Sequence, residues 1–260
     1  KPFFVIPTTS GTGSEVTMVA VVSDTHRNVK LAFASYYLMP HAAILDPRMT
    51  MTLPPHLTAM TGMDALTHCV EAYTCLAANP LSDAYASAGI KKISENLFKV
   101  LDNPSDAQGR LELAQASTMA GIAFSNSMVG LVHSLGHALG AVAHLPHGLC
   151  MNLFLPYVLE YNKEVNGAKI GELLLPLAGA DIYAQTPANL RAEKAITTIL
   201  TMRDRLFTLT KLPRTLRETG KVTEAQLDEV AEKALNDGSI IYNPKEANLE
   251  DLRAILQKAW

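Results

Sequence analysis

The spacing of apolar positions changes near residue 47. Before it, apolar residues come in short runs rich in β-branched and aromatic types: "FFVIPTT", "TMVAVVSD", "VKLAFAS" and "AAILDP". Turn residues bound several of these runs, and each predicts a short strand. "PTTSGTGSE" forms a small, polar, glycine-containing turn between the first two. After Asp46-Pro47 the apolar residues recur at helical spacing. "PPHLTAMTGMDALTHCVEAYTCLA" opens on prolines, which the first turn of a helix tolerates. "SDAYASAGIKKISENLFKVL" and "SDAQGRLELAQASTMAGIAF" each open on a Ser-Asp able to cap free amides. "TEAQLDEVAEKAL" begins with a capping box, Thr223 and Gln226. "NLEDLRAILQKAW" opens on Asn248, with Glu250 and Asp251 near the positive helix end. On this pattern about eight helices fit between Pro54 and Trp260. No repeat period or low-complexity linker is visible, and the best internal boundary lies near Pro47.

Composition narrows the class. The chain has 260 residues, 48% apolar and 18% charged, the profile of a folded chain with one large or two smaller domains. A net charge of −3 with no basic tract argues against nucleic acid and anionic membrane as partners. No apolar run reaches the length of a transmembrane helix, and no signal peptide is visible. Cys69, Cys75 and Cys150 include no CxxC pair, which suits reduced thiols in a cytoplasm. The chain opens on Lys1-Pro2, so a longer parent is expected. The N-terminal strands form either a small sheet of their own or the edge of a larger nucleotide-binding domain.

The candidate chemistry lies in "GLVHSLGHALGAVAHLPHG", which holds four of the eight histidines. His133 and His137 are four apart, which on a helix puts them on one face about 6 Å apart. Pro146 should end that helix and leave His147 at a turn just beyond it. In "GMDALTHCVEA", Asp64 and His68 are also four apart. Two such pairs and a loop histidine can converge on one point, and an Asp with imidazoles is an N/O ligand set for a divalent transition metal. Apolar helices rarely spend two imidazoles on one face without a partner, because unpaired burial is costly. His144, in "AHLP", reads as an ordinary turn histidine. Spacing alone names neither the metal nor its use.

Gly130, Gly136 and Gly140 fall within the same helical pattern and serve either a flat ligand or a close helix contact. "TTSGTGSE" offers hydroxyls and amides suited to a phosphate or ribose. It is neither a Walker loop nor a GxGxxG fingerprint, and an ordinary strand connection explains it as well.

Together these segments resemble the iron-containing (group III) alcohol dehydrogenases. "PTTSGTGSE", "GMDALTHCVEAY", "GLVHSLGHALGAVAHLPHG" and "NPKEANLEDLRAILQKAW" carry the resemblance over nearly the whole chain. It implies a mainly α fold. Residues 48–260 would be the all-helical metal-binding domain of the iron-dependent alcohol dehydrogenase (dehydroquinate synthase-like) fold. Residues 1–47 would be a strand-rich remnant of the α/β dinucleotide-binding domain. It implies Asp64, His68, His133 and His147 as ligands of Fe²⁺, with Zn²⁺ a possible substitute, and His137 as the unligated catalytic histidine beside the substrate. NAD or NADP would meet Thr8, Thr9, Gly11, Thr12 and Lys30. The family's Gly-Gly-Gly-Ser loop does not occur in these residues, so the chain by itself is expected to fold and hold metal but to bind dinucleotide poorly.

The implied activity is reversible hydride transfer between a primary alcohol or diol and a nicotinamide cofactor, in a cytoplasmic homo-oligomer, a dimer. Phe124 and Leu131 are expected at the mouth of the substrate pocket. Two other readings stay open. One is a dehydroquinate synthase-type lyase using NAD and zinc. The other is a truncated metal-binding domain without turnover.

Overall fold

The four N-terminal apolar runs are strands, and they pair as two separate ribbons. A computed structural model describes residues 1–24 and 29–260, with side chains at all of these except positions 23, 24, 29, 30 and 32. Strands β1 (Phe4–Val5) and β4 (Ala42–Ala43) pair in parallel, Phe4 against Ala42. Strands β2 (Val19–Asp24) and β3 (Val29–Ala34) run antiparallel, from Val19 against Ala34 to Asp24 against Val29. Two-stranded ribbons are marginal in water, and Phe4, Val21, Val22 and Phe33 are each more than half exposed. What anchors this region is the turn between β1 and β2. Its Gly13 has a left-handed φ of 63° and donates its amide to Ser117 Oγ at 3.1 Å.

From Pro55 onward the described residues form ten α-helices: α1 (Pro55–Thr74), α2 (Pro80–Asp102), α3 (Ala107–Ser125), α4 (Leu131–Ala143), α5 (His147–Glu172), α6 (Leu174–Ala178), α7 (Ala180–Gln185), α8 (Arg191–Thr210), α9 (Leu227–Leu235) and α10 (Leu249–Ala259). This exceeds the expected number because α6 and α7 are too short to show a period. Helix α1 is central. Residues 62–72 are buried on every side, as befits a helix with neighbours all round, and it packs against α2, α3 and α5. Met63, Leu66, Leu135, Leu139 and Phe154 are fully enclosed in the core. No helix among the described residues is long and apolar enough to cross a membrane.

Three local expectations change. Ser82-Asp83 does not cap α2. Asn79 does, accepting from the Leu81 and Ser82 amides, while the Ser82 hydroxyl oxygen accepts from the Asn79 amide at 3.0 Å. Pro80 is already suited to the first helical position, which starts the helix earlier. The second Ser-Asp behaves as expected, Asp106 capping α3 through the Gly109 amide at 2.9 Å. His147 is not in a turn. His144 takes a left-handed conformation (φ 52°) that ends α4, Pro146 is the N-cap of α5, and His147 is the first residue of that helix. Proline cannot continue α4, but its fixed φ suits the entry to a new helix. The third change concerns Gly130, which precedes α4 as its N-cap. Gly136 serves a helix contact: a Cβ there would meet Met151 and Cys150 of α5.

Candidate metal centre

The site is assembled from α1, α4 and the start of α5. Asp64 and His68 project from one face of α1, one turn apart, at its most enclosed stretch. His133 and His137 are one turn apart on α4. The left-handed residue at His144 reverses the chain so that α5 begins with His147 facing back. Gly148 makes that approach possible, because a Cβ at this position would lie 2.6 Å from the Met60 carbonyl oxygen on α1.

Asp64, His68, His133 and His147 each offer one donor atom, and these atoms lie within 4.8 Å of one another. His147 Nε2 is 3.4 Å from Asp64 Oδ1, and His68 Nδ1 is 3.9 Å from the same oxygen. The His68 and His133 ring centroids are 4.7 Å apart, and those of His133 and His147 5.4 Å. Asp64, His68 and His133 are buried, while the His147 side chain is 28% exposed, leaving one side of the cluster open. Asp64 Oδ1, His68 Nδ1 and His133 Nε2 are buried with no hydrogen-bond partner. Each such atom costs about 1–3 kcal/mol if left unsatisfied, and one cation among them would satisfy all three.

Electrostatics fit the same occupant. Burial pushes the Asp64 carboxyl up to about 7. Burial, then the charges of His133 and His137, holds His68 well below the usual imidazole value; burial, then His137, does the same to His133. Neutral imidazoles with free lone pairs are the metal-binding form.

His137 stands apart from the four. Its ring lies edge-on to His133 at 5.7 Å and stacks on His147 at 5.4 Å. Its Nδ1 is 2.9 Å from Asp237 Oδ2. Asp237 Oδ1 also accepts the Ser239 amide at 2.8 Å. Burial raises the Asp237 carboxyl, but the His137 hydrogen bond and charge and Ser239 outweigh it and hold it below its ordinary value. Sequence reasoning missed Asp237, whose separation of 100 residues from His137 leaves no local signal. It also missed Glu71, which lies beside His133; here a signal existed, since Asp64, His68 and Glu71 recur at helical spacing. Phe124 stacks on His68 at 4.6 Å, but Leu131 is fully buried and belongs to the core, not to a pocket mouth. His144 is exposed and outside the cluster.

The glycine-rich turn lies against this centre. Gly11 is buried, and a Cβ there would meet Thr61 Cβ at 2.9 Å and Asp64 Oδ2 at 3.2 Å. Thr8 and Thr12 are exposed and Thr9 is half-buried. Lys30 lies in β3, with its side chain outside the described residues.

The sequence pattern of the Fe-containing alcohol dehydrogenase family, C-terminal, matches residues 58–260, and that of iron-containing alcohol dehydrogenase matches residues 1–47. The chain belongs to the iron-containing alcohol dehydrogenase family. Within it, the chain is 39% identical to the 1,3-propanediol dehydrogenase of Klebsiella pneumoniae and 37% identical to alcohol dehydrogenase 4 of Saccharomyces cerevisiae, each over 100% of this chain and 65% of the relative. It therefore spans about two-thirds of the length of these curated relatives. A solved alcohol dehydrogenase from Oenococcus oeni superimposes with a TM-score of 0.93 at 32% identity, covering 100% of this chain and 66% of that one. As the family name and fold led us to expect, the described helices carry an Asp/His cluster suited to a metal.

Proposed function

We propose that the whole protein is a metal-dependent alcohol dehydrogenase that interconverts primary alcohols or diols and aldehydes with NAD or NADP. The observation that carries this reading is the convergence of Asp64, His68, His133 and His147 with three buried donor atoms unpartnered. These four residues would hold the ion, natively Fe²⁺. Zn²⁺ ranks above Fe²⁺ in intrinsic affinity and can replace it. When bound, such an ion supplies Lewis-acid polarisation of a substrate oxygen.

The chain's own residues do the rest. The partly exposed His147 leaves the cluster open on the side where His137 stacks. His137 has its Nδ1 engaged by Asp237, so Nε2 is the atom that exchanges a proton with the substrate oxygen or solvent. Phe124, stacked on His68, lines the same region. Thr8, Thr9, Gly11, Thr12 and Lys30 are the proposed dinucleotide contacts. The burial of Gly11 supports a further packing role for that glycine. Residues 1–47 are read as part of a dinucleotide-binding domain and 48–260 as the metal-binding domain. The free cysteines Cys69, Cys75 and Cys150 fit a reducing cytoplasm, and a homodimer is the proposed assembly.

The test is metal analysis combined with an NAD(P)H-oxidation panel over short aldehydes, on one anaerobic preparation of the whole protein. One equivalent of divalent metal and turnover of at least one aldehyde are expected. A fully loaded protein inactive on every aldehyde and alcohol with both cofactors overturns the reading.

A further inference from the structure

Asp64, His68 and Glu71 occupy one face of α1 over two successive turns. The first two reach the cluster, and the third reaches α4. Glu71 is buried, with Oε2 2.5 Å from His133 Nδ1 and Oε1 accepting the Val132 amide at 2.7 Å. Helix α4 has no side-chain cap of its own, and one of its free first-turn amides, that of Val132, is satisfied by a carboxylate from another helix. Gly130 keeps that approach open, since a Cβ there would lie 3.2 Å from Glu71 Oε1.

An ionised carboxylate only accepts hydrogen bonds. Bound to His133 Nδ1, it requires the proton on Nδ1 and leaves the lone pair on Nε2, the atom that has no protein partner. Glu71 and Asp64 are both carboxyl groups of the buried shell, and a dication there would favour their ionised forms.

We infer that Glu71 is a positioning residue of the metal centre: it fixes the tautomer and ring orientation of His133 for a divalent cation and ties that ligand to the start of α4. This rests on the proposed metal reading. It differs from a helix-capping role alone, which predicts lost stability without lost metal affinity.

Co²⁺ titration, followed by its visible absorption and by calorimetry, separates the two. Wild type should bind one Co²⁺. Glu71→Gln keeps the size of the side chain, but its amide offers one acceptor oxygen where two donors need one. It should bind Co²⁺ roughly 10–100-fold more weakly, with an altered visible spectrum. A folded Glu71→Gln variant that lowers the melting temperature of the metal-free protein but binds Co²⁺ as tightly as wild type would leave Glu71 a cap only and overturn the inference. Nitrogen-15 NMR of metal-free wild type gives an independent reading if the variant does not fold. The His133 signal should show the Nδ1–H tautomer, and the Nε2–H tautomer would overturn the inference. Failure of wild type itself to bind Co²⁺ would instead remove the metal reading, and this inference with it.

Discussion

His133 and His137 are the same residue type, one turn apart on one helix, yet their neighbours give them different chemistry. His133 has a buried carboxylate on Nδ1 and a bare Nε2 turned away from water. His137 is partly exposed and held by Asp237. His133→Ala should therefore abolish stoichiometric metal, as read by elemental analysis, and full retention would remove it from the ligand set. His137→Ala should keep its metal and lose turnover by roughly 10²–10⁴-fold, the range for a lost general acid–base group. Metal content and kcat should be measured on the same sample. Loss of metal in this variant would make His137 a ligand, and an unchanged kcat would make it structural.

At the scale of elements, the centre depends on how closely α5 approaches α1. Gly148 sits against the Met60 carbonyl, a backbone atom that cannot swing aside. Gly148→Ala should cost about 1–3 kcal/mol, the range for overpacking a filled interior. It should also weaken metal binding, because His147 is its neighbour. Gly167 lies on the same helix with nothing within 4 Å of an added Cβ. Gly167→Ala should be neutral or stabilise by up to about 1 kcal/mol, the helix-propensity difference. Thermal unfolding of both variants checks the contrast, and equal effects would show that local propensity, not the α1–α5 contact, governs this helix. Gly13 plays a comparable part for the strands. It combines a left-handed φ with a would-be Cβ 2.6 Å from Gly121 Cα, so the β1–β2 turn seats directly on α3.

At the scale of the whole molecule, an ion held by α1, α4 and α5 joins α1 to two consecutive helices that come much later in the chain. It binds the folded chain and has no comparable site in the unfolded one, so loading stabilises by mass action. At a free metal concentration 100 times Kd the gain is about 2.7 kcal/mol. At about 2–4 °C per kcal/mol for a domain of this order of size, the melting temperature should rise by roughly 5–10 °C. A strong chelator should reverse the shift. No difference between loaded and chelated protein would mean that the cluster does not hold the ion.

The sequence by itself determined what short-range order can carry. The four strand positions, the long helices, the caps at Asp106 and Asn248, and the two i,i+4 pairs Asp64/His68 and His133/His137 all follow from short-range pattern. The residues proposed for the metal were legible from the same spacings and from His147 just beyond Pro146, and the family resemblance separated the four ligands from His137. Tertiary structure decided the rest. It showed that His147 begins a helix, because a left-handed His144 and Pro146 redirect the chain. It placed Leu131 in the core. It also brought Glu71 to His133 across 62 residues and Asp237 to His137 across 100. Local pattern sets which face of a helix a side chain occupies. Which carboxylate waits on the far side of that face depends on how the helices pack, and packing is a property of the whole chain.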